Sequence, residues 1–167
     1  TATQTAAPSP TPTAGQATPT ATSSPQATAV PVSGDLPAQA LQILNANRTS
    51  NGRAALTPNA NLAAAASSYA RLMAERSWFT CGCDPHDGPD GSTPQSRIAA
   101  AGYTGRFRGE ALAGGQASAR DAIDVWLRSP AHLAILVDAA AVEVGIGYYY
   151  RAGDLYGHYW VLVTGIP

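Results

Sequence analysis

From Asp35 to the C-terminus the apolar residues fall first at helical spacing and then at strand spacing. Asp35 stands where an N-cap would, ahead of a helix running through about residue 48 with Leu41, Ile43 and Leu44 in its body; Gly52 closes that region. Thr57-Pro58 reads as a second helix start, Thr as N-cap and Pro at the first helical position. Leu62, Ala66, Tyr69 and Met73 follow at helical spacing and predict one apolar face as far as Arg76. Residues 77–93 are a long loop rich in Gly, Pro and Asp. Thr93-Pro94 repeats the start signal for a short third helix, stopped by Gly102. Ser118 and Asp121 form an approximate capping box for a helix through Arg128, and Ser129-Pro130 breaks it and opens a further short turn carrying His132.

The last quarter of the chain changes period. Val144, Ile146, Tyr148 and Tyr150 alternate with Gly145, Gly147 and Tyr149, the pattern of a strand. Ala152-Gly153-Asp154 is a turn, and Leu155 to Thr164 is a second alternating run, so the chain ends in a β-hairpin. Helices first and a hairpin last predict an α+β domain rather than a βαβ sheet. Tyr148, Tyr150, Tyr159 and Trp160 are expected to pack the hairpin against the helices.

Residues 1–34 have a different character. They contain nine Thr, six Pro and eight Ala, and no charged side chain; Val30 and Val32 are their only larger aliphatic residues. Such a segment buries too little apolar area to offset its backbone entropy, and its prolines favour an extended arm reaching about 100 Å. Its composition is that of an O-glycosylated linker. The chain therefore divides into an arm or linker, 1–34, and a globular domain, 35–167. The segment Ala27–Val32 is the part of the arm best suited to anchor on another copy of the chain, through Val30 and Val32. A formal net charge of -1 removes the electrostatic footprint of a nucleic-acid binder. No apolar run approaches the length of a transmembrane helix. The start at Thr1 reads as a processed form.

Cys81 and Cys83, the only cysteines, flank Gly82. A disulfide two residues apart, two free thiols, and metal or intermolecular use all remain open for them. Nucleophilic catalysis finds little support. Ser92, Ser118 and Ser129 read as caps or loop residues, and no Gly-x-Ser-x-Gly elbow or phosphate-binding glycine loop is present. His158 lies between Gly157 and Tyr159 in a strand and has no expected role.

Several segments together resemble one family. Asn45-x-x-Arg48, Gly52, Leu56, Asn61-Leu62 and Tyr69-Ala-Arg-Leu-Met-Ala74 look like its first two helices. His86, Asp90-Gly-Ser-Thr-Pro94, Arg97 and Ala101-Gly-Tyr103 resemble its next block. Gly109-Glu110-x-Leu112-Ala113 is similar to its Gly-Glu-Asn signature. Trp126-Leu-x-Ser-Pro-x-His132, Glu143-Val-Gly-Ile-Gly147 and Tyr159-Trp-Val161 complete the order. This is the pattern of the CAP superfamily (cysteine-rich secretory proteins, antigen 5 and pathogenesis-related proteins), in its bacterial, SCP-like extracellular branch, over about residues 37–167.

The resemblance implies an α-β-α sandwich with a small antiparallel sheet, in an exported protein at the cell surface or outside it. It implies a cleft of two His and two acids that in some members holds a divalent metal such as zinc. Carried over by position, the histidines are His86 and His132 and the first acid is Glu110. The second acid falls at Ser129, and Glu143 is not at the motif position. Ala111 stands where Asn follows Glu in the signature, and Leu133 and Ile135 replace the Arg and Asn often found after the last His. Two imidazoles and a carboxylate are a chemically reasonable zinc set, and equally a hydrogen-bond network needing no cofactor. The expectation is an extracellular binding module without catalytic residues. The alternatives are a structural subunit of an extracellular polymer or surface layer linked through the arm, and a metal-assisted hydrolase.

Overall fold

The computed structural model describes residues 35–167. The expectations that fall on 1–34, namely the extended arm, its anchors Val30 and Val32 and self-association through it, lie outside the described residues.

Helix α1 (Leu36–Ser50) starts where the cap predicted, the Asp35 carboxylate accepting from the Ala38 N–H at 3.2 Å. The second start signal misleads. Thr57–Pro58 is a short strand, β1, and α2 (Ala60–Arg76) is capped by Asn59, whose side-chain oxygen accepts from the N–H groups of Asn61 and Leu62. The override is a pairing in the sheet: the N–H groups of Thr57 and Asn59 donate to the carbonyls of Val142 and Val144, both at 2.9 Å. Pro58 sits between these two donors, so its missing N–H falls on the unpaired side of an edge strand.

Helix α3 (Pro94–Ala100) follows a reciprocal cap between Thr93 and Ser96. Helix α4 (Ala119–Arg128) is capped by Ser118, and α5 (Pro130–Leu136) follows at once because Pro130 cannot extend α4. Between α3 and α4 lies β2 (Arg106–Gly114), a strand without an alternating pattern to announce it. The terminal hairpin is β3 (Glu143–Tyr150) and β4 (His158–Ile166). The second strand thus starts later than Leu155, because the side chain of Asp154 accepts from the Tyr156 N–H and the Tyr159 hydroxyl and holds a wider loop.

The strand order is β1-β3-β4-β2, with β3/β4 and β4/β2 antiparallel. Because β1 runs parallel to β3, the sheet is mixed rather than wholly antiparallel. Helices cover both faces, giving an α-β-α sandwich. On one face Val144, Ile146, Trp160 and Leu162 pack with Leu44 of α1 and Ile123 and Trp126 of α4. On the other Leu112, Tyr159, Val161 and Val163 pack with Leu62, Tyr69 and Met73 of α2. Gly145 and Gly147 face α2, and a Cβ on either would lie 2.1–2.3 Å from the backbone of Leu62 or Ala66. The glycines of β3 are therefore the seat of a helix. Tyr159 and Trp160 are buried as expected, whereas Tyr150 lies 55% exposed beside His158.

Candidate functional site

Strand β2 is one of the two outer strands of the sheet, and its residues connect the two helical layers. Glu110 lies on it, only 4% exposed, on the same face as Leu112 and toward α2 and α3. One nitrogen of Arg97, Nη2, reaches both carboxylate oxygens, at 3.0 and 2.9 Å. His86 brings Nδ1 to 2.9 Å from Oε1. The remaining donors of Arg97 hold the loop, Nη2 donating to the His86 carbonyl at 3.0 Å and Nη1 to the Ser92 carbonyl at 3.1 Å. Its guanidinium carbon lies 3.4 Å from the centroid of the Tyr69 ring, a cation–π contact. The Tyr69 hydroxyl donates to the Pro85 carbonyl. Four parts of the chain (α2, the loop before α3, α3 and β2) thus meet around one buried carboxylate. The hydrogen bond to Glu110 raises the pKa of His86, and burial pushes the Tyr69 hydroxyl up to about 12.

His132 projects from α5, in the helical layer on the other side of β2. Burial, and then the charge of His86, lower its pKa. His132 lines a cavity of about 240 Å³ with Phe79, Leu112, Gln116, Trp126 and Ser129. The indole N–H of Trp126 donates to the Leu112 carbonyl at 2.9 Å, closing an outward-facing group of β2, and that of Trp160 donates to the Gln116 carbonyl at 2.7 Å. The side-chain oxygen of Gln116 is buried without a hydrogen-bond partner. An unpaired acceptor of this kind costs about 1–3 kcal/mol.

The sequence model of the CAP family, the cysteine-rich secretory protein family, matches residues 41–164. The chain belongs to the CAP family. Solved structures share its fold. An extracellular protein containing an SCP domain from Bacillus anthracis is 20% identical with a TM-score of 0.67, over 77% of this chain and 40% of that one. An outer surface protein from Borrelia burgdorferi is 22% identical with a TM-score of 0.62, over 76% and 90% of the two chains. A cysteine-rich secretory protein from Staphylococcus aureus is 16% identical with a TM-score of 0.56, over 81% and 41%. This CAP chain thus spans about two fifths of the length of the Bacillus and Staphylococcus proteins. No curated protein matches the sequence.

Glu110 of this CAP cleft is not offered to a divalent metal. Both oxygens of Glu110 are engaged by Arg97, and Nδ1 of His86 faces the same carboxylate. Ser129 supplies no second carboxylate, and among the described residues no three His, Cys, Asp or Glu are grouped as ligands. Glu143 is held elsewhere, accepting from Tyr103 at 2.8 Å and from Asn59 at 3.0 Å. Cys81 and Cys83 are joined as a disulfide with Cα atoms 5.2 Å apart, Gly82 taking a φ of +70° to turn the chain between them. His158 hydrogen-bonds the Tyr148 hydroxyl at 2.7 Å. Among the described residues no helix is long and apolar enough to cross a membrane.

In the sequence Arg97 and Tyr69 stand in the family's motifs, Tyr69 also on an apolar helix face, and nothing there marks either as a partner of the cleft acid. An acid set among the apolar residues of Gly109–Gly114 was the available signal, since its burial requires a compensating donor. Gln116 carried no sequence signal.

Proposed function

We propose that the chain is an exported, non-catalytic binding module whose ligand lies along the outer edge of β2, beside His86, Glu110 and His132. The observation that supports this reading is the engagement of Glu110. Its carboxylate is buried and bonded to Arg97 and His86, so it acts as the keystone of the loop rather than as a base offered to a substrate. General acid–base work needs a group within reach of a substrate proton. Ser129 and His132 line the adjoining cavity, and neither side chain has a hydrogen-bond partner among the described residues. They remain available to recognise a ligand. Export agrees with the disulfide, which persists in oxidising compartments.

A thermal-shift screen of small extracellular metabolites and polymer fragments tests the reading, with turnover of each followed in parallel. Binding to the native state raises the unfolding midpoint. The expected result is at least one compound that raises the midpoint of the wild-type chain, loses that effect in His132→Ala, and is recovered unchanged. A compound converted to product by the wild type but not by His132→Ala would overturn the non-catalytic reading.

A further inference from the structure

The cavity beside His132 has a composition that selects its occupant. Its walls are Phe79, Leu112, Val125 and Trp126, and no Asp, Glu, Arg or Lys lines it. A charged group would enter without a counter-charge, so the occupant is neutral. At about 240 Å³ the space lies below the roughly 300–1,000 Å³ of pockets that enclose a drug-sized ligand, and suits a pendant group of a larger molecule.

Three polar side chains line this space from two separate segments. Gln116, just after β2, carries the buried unpaired oxygen. The side chains of Ser129 and His132, at the start of α5, have no hydrogen-bond partner among the described residues. Gln116 asks for a donor. The Ser129 hydroxyl and a neutral imidazole each offer one in return. A hydroxyl brings its donor and acceptor on one atom, whereas these partners stand on different elements. A secondary amide separates its N–H from its carbonyl and so addresses both.

We propose that this cavity is a subsite for a neutral N-acetyl group. The amide N–H donates to the side-chain oxygen of Gln116, the carbonyl accepts from Ser129 or His132, and the methyl packs on Phe79, Leu112 and Val125. This rests on the binding-module reading and names the chemistry it selects. An acetylated amino sugar and an acetylated amino acid carry the same group, and the two probes below separate them.

The test is an amide and indole NMR titration of the full chain with N-acetylglucosamine and, separately, with N-acetylalanine methylamide; glucose and glucosamine are the controls. The expected result is that at least one acetylated probe shifts the Gln116 side-chain amide and the Trp126 indole and binds at least tenfold more tightly than either control. The tighter of the two identifies the source. Gln116→Leu is expected to lower that affinity at least tenfold while the remaining spectrum keeps its dispersion. Should that variant fail to fold, the double variant Ser129→Ala/His132→Ala, which removes both candidate donors, is expected to lower the affinity at least threefold. Equal binding of acetylated and control sugars, no binding of either acetylated probe, or affinity unchanged in the folded variant overturns the proposal. If the acetylated probes fail while another compound from the thermal-shift screen is lost in His132→Ala, the N-acetyl assignment falls and the binding module stands. If that screen instead finds turnover, the binding-module reading itself falls.

Discussion

A carboxylate taken out of water needs compensating charge or hydrogen bonds, and Glu110 obtains both from Arg97. Removing one partner of a buried pair leaves the other uncompensated, at about 3–5 kcal/mol. Arg97→Met is expected to destabilise the chain by about that amount in urea unfolding, and adding Glu110→Gln is expected to recover part of the loss. A double variant no more stable than the single one would show that Arg97 acts mainly through its bonds to the loop. His86 adds a pH dependence. Its folded pKa is raised by the bond to Glu110, so its contribution is complete below an unfolded value of about 6.5 and is lost as pH rises through the folded value. His132 runs the opposite way: its lowered pKa makes its protonation oppose folding as pH falls. The difference in midpoint between the wild type and His86→Gln is expected to be larger at about pH 5.5 than at about pH 8.5, less the part by which loss of the His86 charge eases protonation of His132. The side chain of His86 is partly exposed, so solvent screening keeps that difference small.

At the scale of elements, the closest packing in the domain is that of α2 on β3. Gly145 and Gly147 let the helix backbone approach where any Cβ would collide. Gly147→Ala is expected to cost about 3 kcal/mol or more, because a strand and a helix have to separate and both are buried. Gly153→Ala, in an open loop at a φ of +74°, is expected to cost about 1 kcal/mol. Thermal unfolding of the two variants makes the comparison, and equal losses would refute the close-packing account. The helices and the hairpin were legible because their signals are local: Asp35, Thr93 and Ser118 each act on a donor three residues away. The strands β1 and β2 were not. The sequence Arg106–Gly114 is rich in Gly and Ala, which have weak strand preference, and it is buried on both faces toward its end, so no alternation survives. Thr57-Pro58 carries a true helix-start pattern that the pairing with β3 outweighs.

For the whole molecule, the buried Arg48 shows how distant segments are tied. From α1 it donates to the carbonyls of Ala54, Leu136 and Asp138, joining the start of the domain to the end of α5. Residues 35–167 thus hold their own core and their own clamps. Light scattering of the full chain beside one lacking residues 1–34 checks the molecular scale. A binding module on a linker is expected to give monomers in both cases. A large species formed only by the full chain would instead favour the arm-linked subunit.

The amino-acid sequence by itself determined the helices, the caps of α1, α3 and α4, the terminal hairpin and the ordered motifs that mark the CAP family. Each of these is written in neighbouring residues, or in a spacing that survives whatever the rest of the chain does. The sequence also named His86, Glu110 and His132, through position in a motif. Tertiary structure alone decided what those residues touch. Arg97 and Glu110 lie on different elements, and only the packing of α3 against the sheet brings a guanidinium onto both oxygens of the acid. The unpaired oxygen of Gln116 is likewise a product of tertiary structure, which sets Gln116 beside residues of α4 and α5 around one cavity. Burial and charge pairing are properties of distances between segments, and the order of residues along a chain does not contain those distances.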